Sequence, residues 1–404
     1  SSVFEDLAVL RLPPGADLAR VLAEVAGREE VLYAEPNLRL LVVGAGVAEG
    51  AVPDDFEFSR QWSLRNTGQT GGMPGADIGA LGAWSVTTGS RDVVVAIIDT
   101  GVDYFHPDLE VNLWRNTREV AGNGVDDDGN GYVDDVHGFD FVSQDGDPMD
   151  DNVHGTHVAG ILGAAGNDGN GVAGVAWQAG LMALKAFDDT GSGSLDDTLA
   201  SIAYAVANGA RVINASWGTT TRSRALDEAV AEAVARGVVF VAAAGNNGTE
   251  TRFYPASVPE VIAVGATDAR DGSPAFSNHG LFVDLVAPGE AIHSTLPNAG
   301  WGVLSGTSMA APHVSGLVVL MLARNPSLTP AEVGRILKST AREVVTDRFT
   351  GAGRIDAARA VGVEGPLPEA ALELPQVLSG VVDLRGRAAG PGFAGYRLEL
   401  GAGK

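Results

Sequence analysis

The 404-residue chain contains no cysteine. No disulfide holds its fold, and no thiol does its chemistry. Apolar runs long enough to span a bilayer are missing as well. So is any excess of positive charge: 51 acidic residues face 27 basic ones, a formal net charge of −24. An acidic surface repels phosphate, which argues against nucleic acid as a partner. It suits a soluble protein that binds calcium or tolerates salt. The chain starts at Ser1 with neither a methionine nor a signal-like segment, and reads as a fragment or a processed chain. What is present is globular: 45% hydrophobic residues and 54 glycines, in a length that suits one large α/β domain with smaller additions.

Residues 1–44 read as a small β-α-β unit, with a strand around Leu7–Leu12, helical spacing over Asp17–Ala26 and a second strand at Val31–Ala34. A unit this short buries little core and needs something to pack against. Residues 45–55, rich in Gly, Ala and acidic residues, read as an exposed linker. From 56 to 361 strand and helix patterns alternate. The run Val93–Ile98 is apolar throughout, as a central parallel strand covered on both faces requires. Met182–Leu184, Val212–Ile213, Val238–Val241 and Val261–Val264 repeat the pattern, and Leu195–Ala207, Arg224–Ala235 and Ala331–Thr340 have helical spacing. Thr329-Pro330-Ala331-Glu332 is a capping box with proline at the first helical position. The alternation predicts an α/β fold: a doubly wound, mostly parallel sheet with helices on both faces. Ligands of such folds bind beyond the carboxyl ends of the strands. Residues 362–404 read as a Pro/Glu-rich linker and the start of a β-sandwich-like module.

Four polar residues fall at strand ends or helix starts. Asp99 ends the first long strand, and His154 opens a small-residue helix in His154-Gly155-Thr156-His157. Asn246 follows the strand that runs into Gly245, and Ser308 lies between Gly306-Thr307 and the apolar helix from Met309. Alone, each has an ordinary structural use: Ser308 as an N-cap, Asp99 as a cap, His154 and Asn246 as turn residues. Together they are the parts of acyl transfer. A hydroxyl attacks, an imidazole takes its proton, a carboxylate orients the imidazole, and an amide donor binds the oxyanion.

On Asp99-Thr100-Gly101, His154-Gly155-Thr156-His157, Ala244-Gly245-Asn246 and Gly306-Thr307-Ser308-Met309-Ala310, the chain resembles the subtilisin-like serine proteases, in that family's order Asp, His, Ser. The resemblance covers about residues 56–361. It implies a serine endopeptidase with Asp99, His154 and Ser308 as triad and Asn246, with the Ser308 N–H, as oxyanion donor. His157 is a structural neighbour. Gly191-Ser192-Gly193 and Ser216-Trp217-Gly218 match the segments that pair with an extended polypeptide substrate, while Asn247 and Phe253 fall at the primary pocket. A shallow, apolar pocket is expected. The resemblance makes residues 1–44 the later part of an inhibitory, folding-assisting propeptide, processed between about Val43 and Asp55 by the enzyme itself. It also implies a monomer, secreted or at the cell surface.

Residues 123–135 carry a separate signal. Asp126, Asp128 and Asn130 before Gly131 resemble the first half of an EF-hand-like calcium loop. The twelfth position holds His137 instead of glutamate, so Asp134 or Asp135 would close the shell; a solvated acidic turn is the alternative. The family resemblance implies a second calcium site at Asp108 with the loop from Asn167 to Gly171. Two other readings compete: an inactive relative that keeps the scaffold for binding, and a calcium-dependent adhesion protein. A lipase-like reading fails, because the Gly-x-Ser-x-Gly elbow and the order Ser, Asp, His are absent.

Overall fold

Strands buried on both faces must be apolar along their length, and these runs assemble accordingly. A computed structural model of the protein describes residues 52–364, with the backbone of 369–373 and 385–389. The unit at 1–44, most of the 45–55 linker and most of 362–404 lie outside the described residues.

The sheet has seven strands: β1 (Gly89–Asp99), β2 (Gly138–Asp140), β3 (Gln178–Lys185), β4 (Val212–Ala215), β5 (Val239–Ala243), β6 (Ile262–Thr267) and β7 (Leu285–Pro288). Their order is β2-β3-β1-β4-β5-β6-β7, and every pairing is parallel. The helices are α1 (Ala80–Trp84), α2 (His154–Gly163), α3 (Leu195–Ala207), α4 (Arg224–Ala235), α5 (Thr307–Arg324), α6 (Pro330–Thr340) and α7 (Ala357–Val361). β1 shows how both faces are covered. Val95 and Ile97 pack with Val158 and Leu162 of α2 and Leu317 and Val318 of α5. Ala96 and Ile98, pointing the other way, pack with Ile202 of α3 and Leu226 and Val230 of α4.

The long helix α5 is buried from Thr307 to Leu322, which explains why its sequence shows no polar stripe. α6 opens on the expected capping box, Thr329 and Glu332 each bonding the other's backbone. A hairpin, β8 (Ile292–Leu296) and β9 (Gly300–Leu304), connects the sheet to α5. His157 Nε2 lies 3.1 Å from the Ile292 carbonyl and 3.2 Å from that of Gly302, and Ser294 Oγ donates to the His157 carbonyl at 2.8 Å. His157 thus holds the hairpin. Pro53 and Asp55 are buried in the body, so the domain begins earlier than residue 56, inside the segment read from sequence as linker. A separate antiparallel ladder joins β10 (Glu369–Glu373) to β11 (Arg385–Ala389). No helix among the described residues is long and apolar enough to cross a membrane.

Candidate active site

From β1 the sheet grows in both directions, so its winding reverses at this strand. The crevice is expected at the carboxyl end of such a strand. Asp99 is that end, and is buried. Its Oδ1 lies 2.7 Å from His154 Nδ1 and accepts the Thr100 N–H at 2.8 Å. The carboxylate fixes the tautomer: Nδ1 carries the proton and Nε2 is left as an acceptor. Burial works against a charge on His154, but the facing Asp99 carboxylate outweighs it and moves the pKa above the ordinary 6.5. Close approach of α2 needs Gly155, where a Cβ would stand 2.0 Å from the Gly101 carbonyl. Asp150 secures the turn before α2, accepting from Thr156 N at 2.9 Å, Thr156 Oγ1 at 2.6 Å and Thr100 Oγ1 at 2.9 Å.

Ser308 is the second residue of α5, whose N-cap is Gly306, so it is not itself the cap. Its N–H is one of the first-turn amides that a helix leaves unpaired, at the positive end of the dipole. Pro312 has no N–H to offer the carbonyl four residues back. That carbonyl belongs to Ser308, and Ser216 Oγ donates to it at 2.8 Å. In return Ser308 Oγ donates to the Ser216 carbonyl at 2.9 Å, not to His154. Asn246 is held by its oxygen: Oδ1 accepts from Thr307 N at 2.8 Å and Thr307 Oγ1 at 2.9 Å. The amide is thereby oriented with its NH₂ free to donate.

The substrate segments expected from sequence flank this centre. Phe187 bridges Gly193, and the intervening turn is held by Asp188 Oδ1, which accepts from Thr190 N and Ser192 N. Trp217 leans on Phe187, ring centroids 5.7 Å apart. The Phe253 ring packs where Gly218 leaves space: a Cβ there would meet Phe253 at 2.5 Å. Asn247 is exposed, its N–H donating to Asn278 Oδ1 at 3.0 Å.

In the acidic loop each expected ligand already makes hydrogen bonds. Asp134 accepts the N–H groups of Asn123 and Gly124. Asp135 is fully buried and accepts from Asn116, Asn130 and the Tyr204 hydroxyl. One carboxylate oxygen each from Glu119, Asp126 and Asp128 lies within 4.8 Å of the others. Asn130 uses Oδ1 on the Tyr132 N–H. At the second site Asp108 is buried, Oδ2 accepting from Val172 N and Trp301 Nε1 while Oδ1 has no partner. Asn167 donates its N–H to Asp55 Oδ2 at 2.7 Å, and Asp55 Oδ1 is also buried without a partner. Burial pushes the Asp55 pKa up to about 6 and raises that of Asp108. Unpartnered buried carboxylate oxygens fit a cation that needs oxygen ligands.

Sequence reasoning missed Thr307, Asp150, Asn278, Glu119 and Asp55. Thr307 stood inside a motif quoted for its serine, and Asp55 stood in the supposed linker. Asp150 and Asn278 act through side-chain contacts to distant segments, and Glu119 through the N–H groups of Asp127, Asp128 and Asp134, which spacing along the chain does not carry.

Residues 90–358 match the model of the subtilase family. The chain is 43% identical over 280 residues to a thermophilic serine proteinase of Bacillus sp. strain AK1, covering 69% of this chain and 64% of that one. Thermitase of Thermoactinomyces vulgaris is 39% identical over 280 residues, covering 69% and 91%. Subtilisin-like protease 1 of Plasmodium vivax is 36% identical, covering 67% of this chain and 47% of its own length. The chain thus spans between about half and two thirds of the first and last of these relatives. Among solved structures a protease of Pseudoalteromonas arctica superposes with a TM-score of 0.65 at 30% identity, covering 77% of this chain and 99% of the other.

Proposed function

The chain belongs to the subtilase family of serine proteases, and on that premise we propose that it is an endopeptidase acting through Asp99, His154 and Ser308. The 2.7 Å contact from Asp99 to His154 Nδ1 carries the reading, because it leaves Nε2 as the basic nitrogen of the ring. When substrate enters, Ser308 Oγ leaves the Ser216 carbonyl and attacks the scissile carbonyl carbon, and its proton passes to His154 Nε2. The Ser308 N–H and Asn246 Nδ2 bind the oxyanion. As the C–N bond breaks, His154 returns the proton to the leaving amine; water then repeats the sequence on the acyl-enzyme. Extended substrates lie along Gly191–Gly193 and Ser216–Gly218, pairing through backbone. Phe253 makes the primary pocket shallow, so small apolar residues precede the cut, and Asn247 adds no charge to it.

Calcium is the proposed structural ion. Glu119, Asp126 and Asp128 would hold one, and Asp55 and Asp108 with the Asn167 loop another; the ion supplies charge neutralisation only. We further propose that residues 1–44 inhibit the enzyme until it removes them, and that it works as a secreted monomer. Cleavage of an Ala-rich peptide by the processed protein, lost in Ser308→Ala, tests the central reading. Equal cleavage by both would refute it.

A further inference from the structure

A buried lysine stands beside the Asp99–His154 pair. Lys185 ends β3, in register with Asp99 on β1, and is 3% exposed. Burying an ammonium is costly unless its donors are used. All three are: Nζ donates to Asp151 Oδ1 at 2.6 Å, the Thr100 carbonyl at 2.9 Å and the Phe187 carbonyl at 3.0 Å. The three acceptors lie on three segments. Thr100 follows Asp99, Asp151 precedes His154 by three residues, and Phe187 starts the segment that leads to Gly191–Gly193.

We propose that Lys185 is a positioning residue, one ammonium joining the Asp99 turn, the turn into His154 and the substrate edge into a single unit. The inference rests on the proteolytic reading above. Thr100 is the hub through which it acts. Its N–H holds Asp99 Oδ1, its hydroxyl donates to Asp150, and the same hydroxyl accepts the Gly155 N–H at 3.0 Å, next to His154. Its remaining polar group is the carbonyl that Lys185 takes. The turn into His154 also needs holding, because Val153 has φ 152°, an unfavourable value for a β-branched residue. Charge neutralisation of Asp151 does not explain the burial: its side chain is 54% exposed and water could serve it. An ammonium is a compact charge with rotatable donors, whereas the planar guanidinium of arginine cannot address three carbonyl-type oxygens set around a point.

The test reads His154. The groups facing it are Asp99 from the end of β1, Asp150 from the preceding turn and His157 on its own helix. Removing a nearby cation would by itself raise the His154 pKa. Loosening Asp99 from the imidazole would lower it. In Lys185→Met the expected result is a fall of about 10–100-fold in kcat/KM, with the acid limb of its pH profile moved to lower pH. Asp151→Asn releases only the tether to the His154 turn, and should move the limb the same way by less; it carries the test if Lys185→Met does not fold. NMR titration of the His154 ring gives the same shift without relying on turnover. A limb unmoved or moved upward in these variants, with only the melting temperature changed, overturns the inference. If the wild type cleaves no peptide, the proteolytic reading fails, while the His154 titration still decides the role of Lys185.

Discussion

The strand-end site and the acidic loop at 116–135 are both made of polar side chains on turns, yet they balance charge in opposite ways. At the strand ends the polar side chains are tied to neighbouring elements, although Asp99 Oδ2 is buried without a hydrogen-bond partner. Asp99 has His154 and the Thr100 N–H, Asn246 has Thr307, and Ser308 and Ser216 grip each other. In the loop, three carboxylates crowd within 4.8 Å, and among the described residues Arg118, 2.8 Å from Asp128, is the cation paired with them. Backbone turns shape the loop, through bonds such as Gly129 N and Gly131 N to Asp126, but they do not neutralise it. The strand-end site is therefore tied together by its own side chains, whereas the loop gathers carboxylates that a divalent cation would neutralise on the proposed calcium reading.

Perturbing the two regions separately should give opposite patterns of lost activity and lost stability. Ser308→Ala should lower kcat by about 10⁶-fold, as loss of one member of a cooperating triad does, and leave the melting temperature within a degree or so of wild type. A large melting shift would show that the serine is structural. Chelation should do the reverse, removing up to about 4 kcal/mol of stability if calcium stands near a thousand times its Kd. Glu119→Gln should reproduce part of that loss, and an unchanged melting curve in EDTA would remove calcium from the account. Asn246→Ala is expected to cost about 10²–10³ in kcat with little change in KM, separating an oxyanion donor from a binding contact. Phe253→Ala should deepen the pocket and shift preference toward large apolar residues by about 10–200-fold in relative kcat/KM.

The smallest effect concerns acid. His313, wholly buried in α5 with Nδ1 on the Met309 carbonyl, has its pKa pushed down to about 4 by burial. Below the ordinary 6.5 the unfolded chain takes up the proton first, so stability falls as the pH drops from about 6.5 toward 4. His313 contributes about 1.4 kcal/mol per pH unit to that slope. Denaturant melts of His313→Gln at pH 7 and 5 should show a correspondingly shallower loss; an unchanged slope would mean His313 is charged when folded.

Much of the fold was legible because its signals are local. α3 and α4 occupy the segments whose spacing predicted them, and Val93–Ile98 is the core of the central strand. β7 escaped, because its four residues end in Pro288 and do not read as a central strand. Asp99 and Asn246 were placed correctly because a strand end is visible in sequence. The contacts of Asp135 were not legible, because Tyr204, whose hydroxyl donates to it, is a core residue far along the chain, and the nearness of Glu119 to Asp126 and Asp128 leaves no mark in the spacing. Ser308 reads in sequence as a helix cap; the structure sets it two positions inward and gives the capping role to Gly306. The proline that frees its carbonyl was in plain sight at 312, but the acceptor's new donor, Ser216, lies on another strand's end.

The central claim is that the turn at Gly306-Thr307-Ser308 holds an activated nucleophile. Treatment with a fluorophosphonate, followed by peptide mass mapping, tests it directly. The account predicts one adduct, on Ser308, that forms faster as the pH rises through the His154 transition and disappears in His154→Ala. No adduct on the folded, calcium-loaded protein, or an adduct on a different serine, would contradict it.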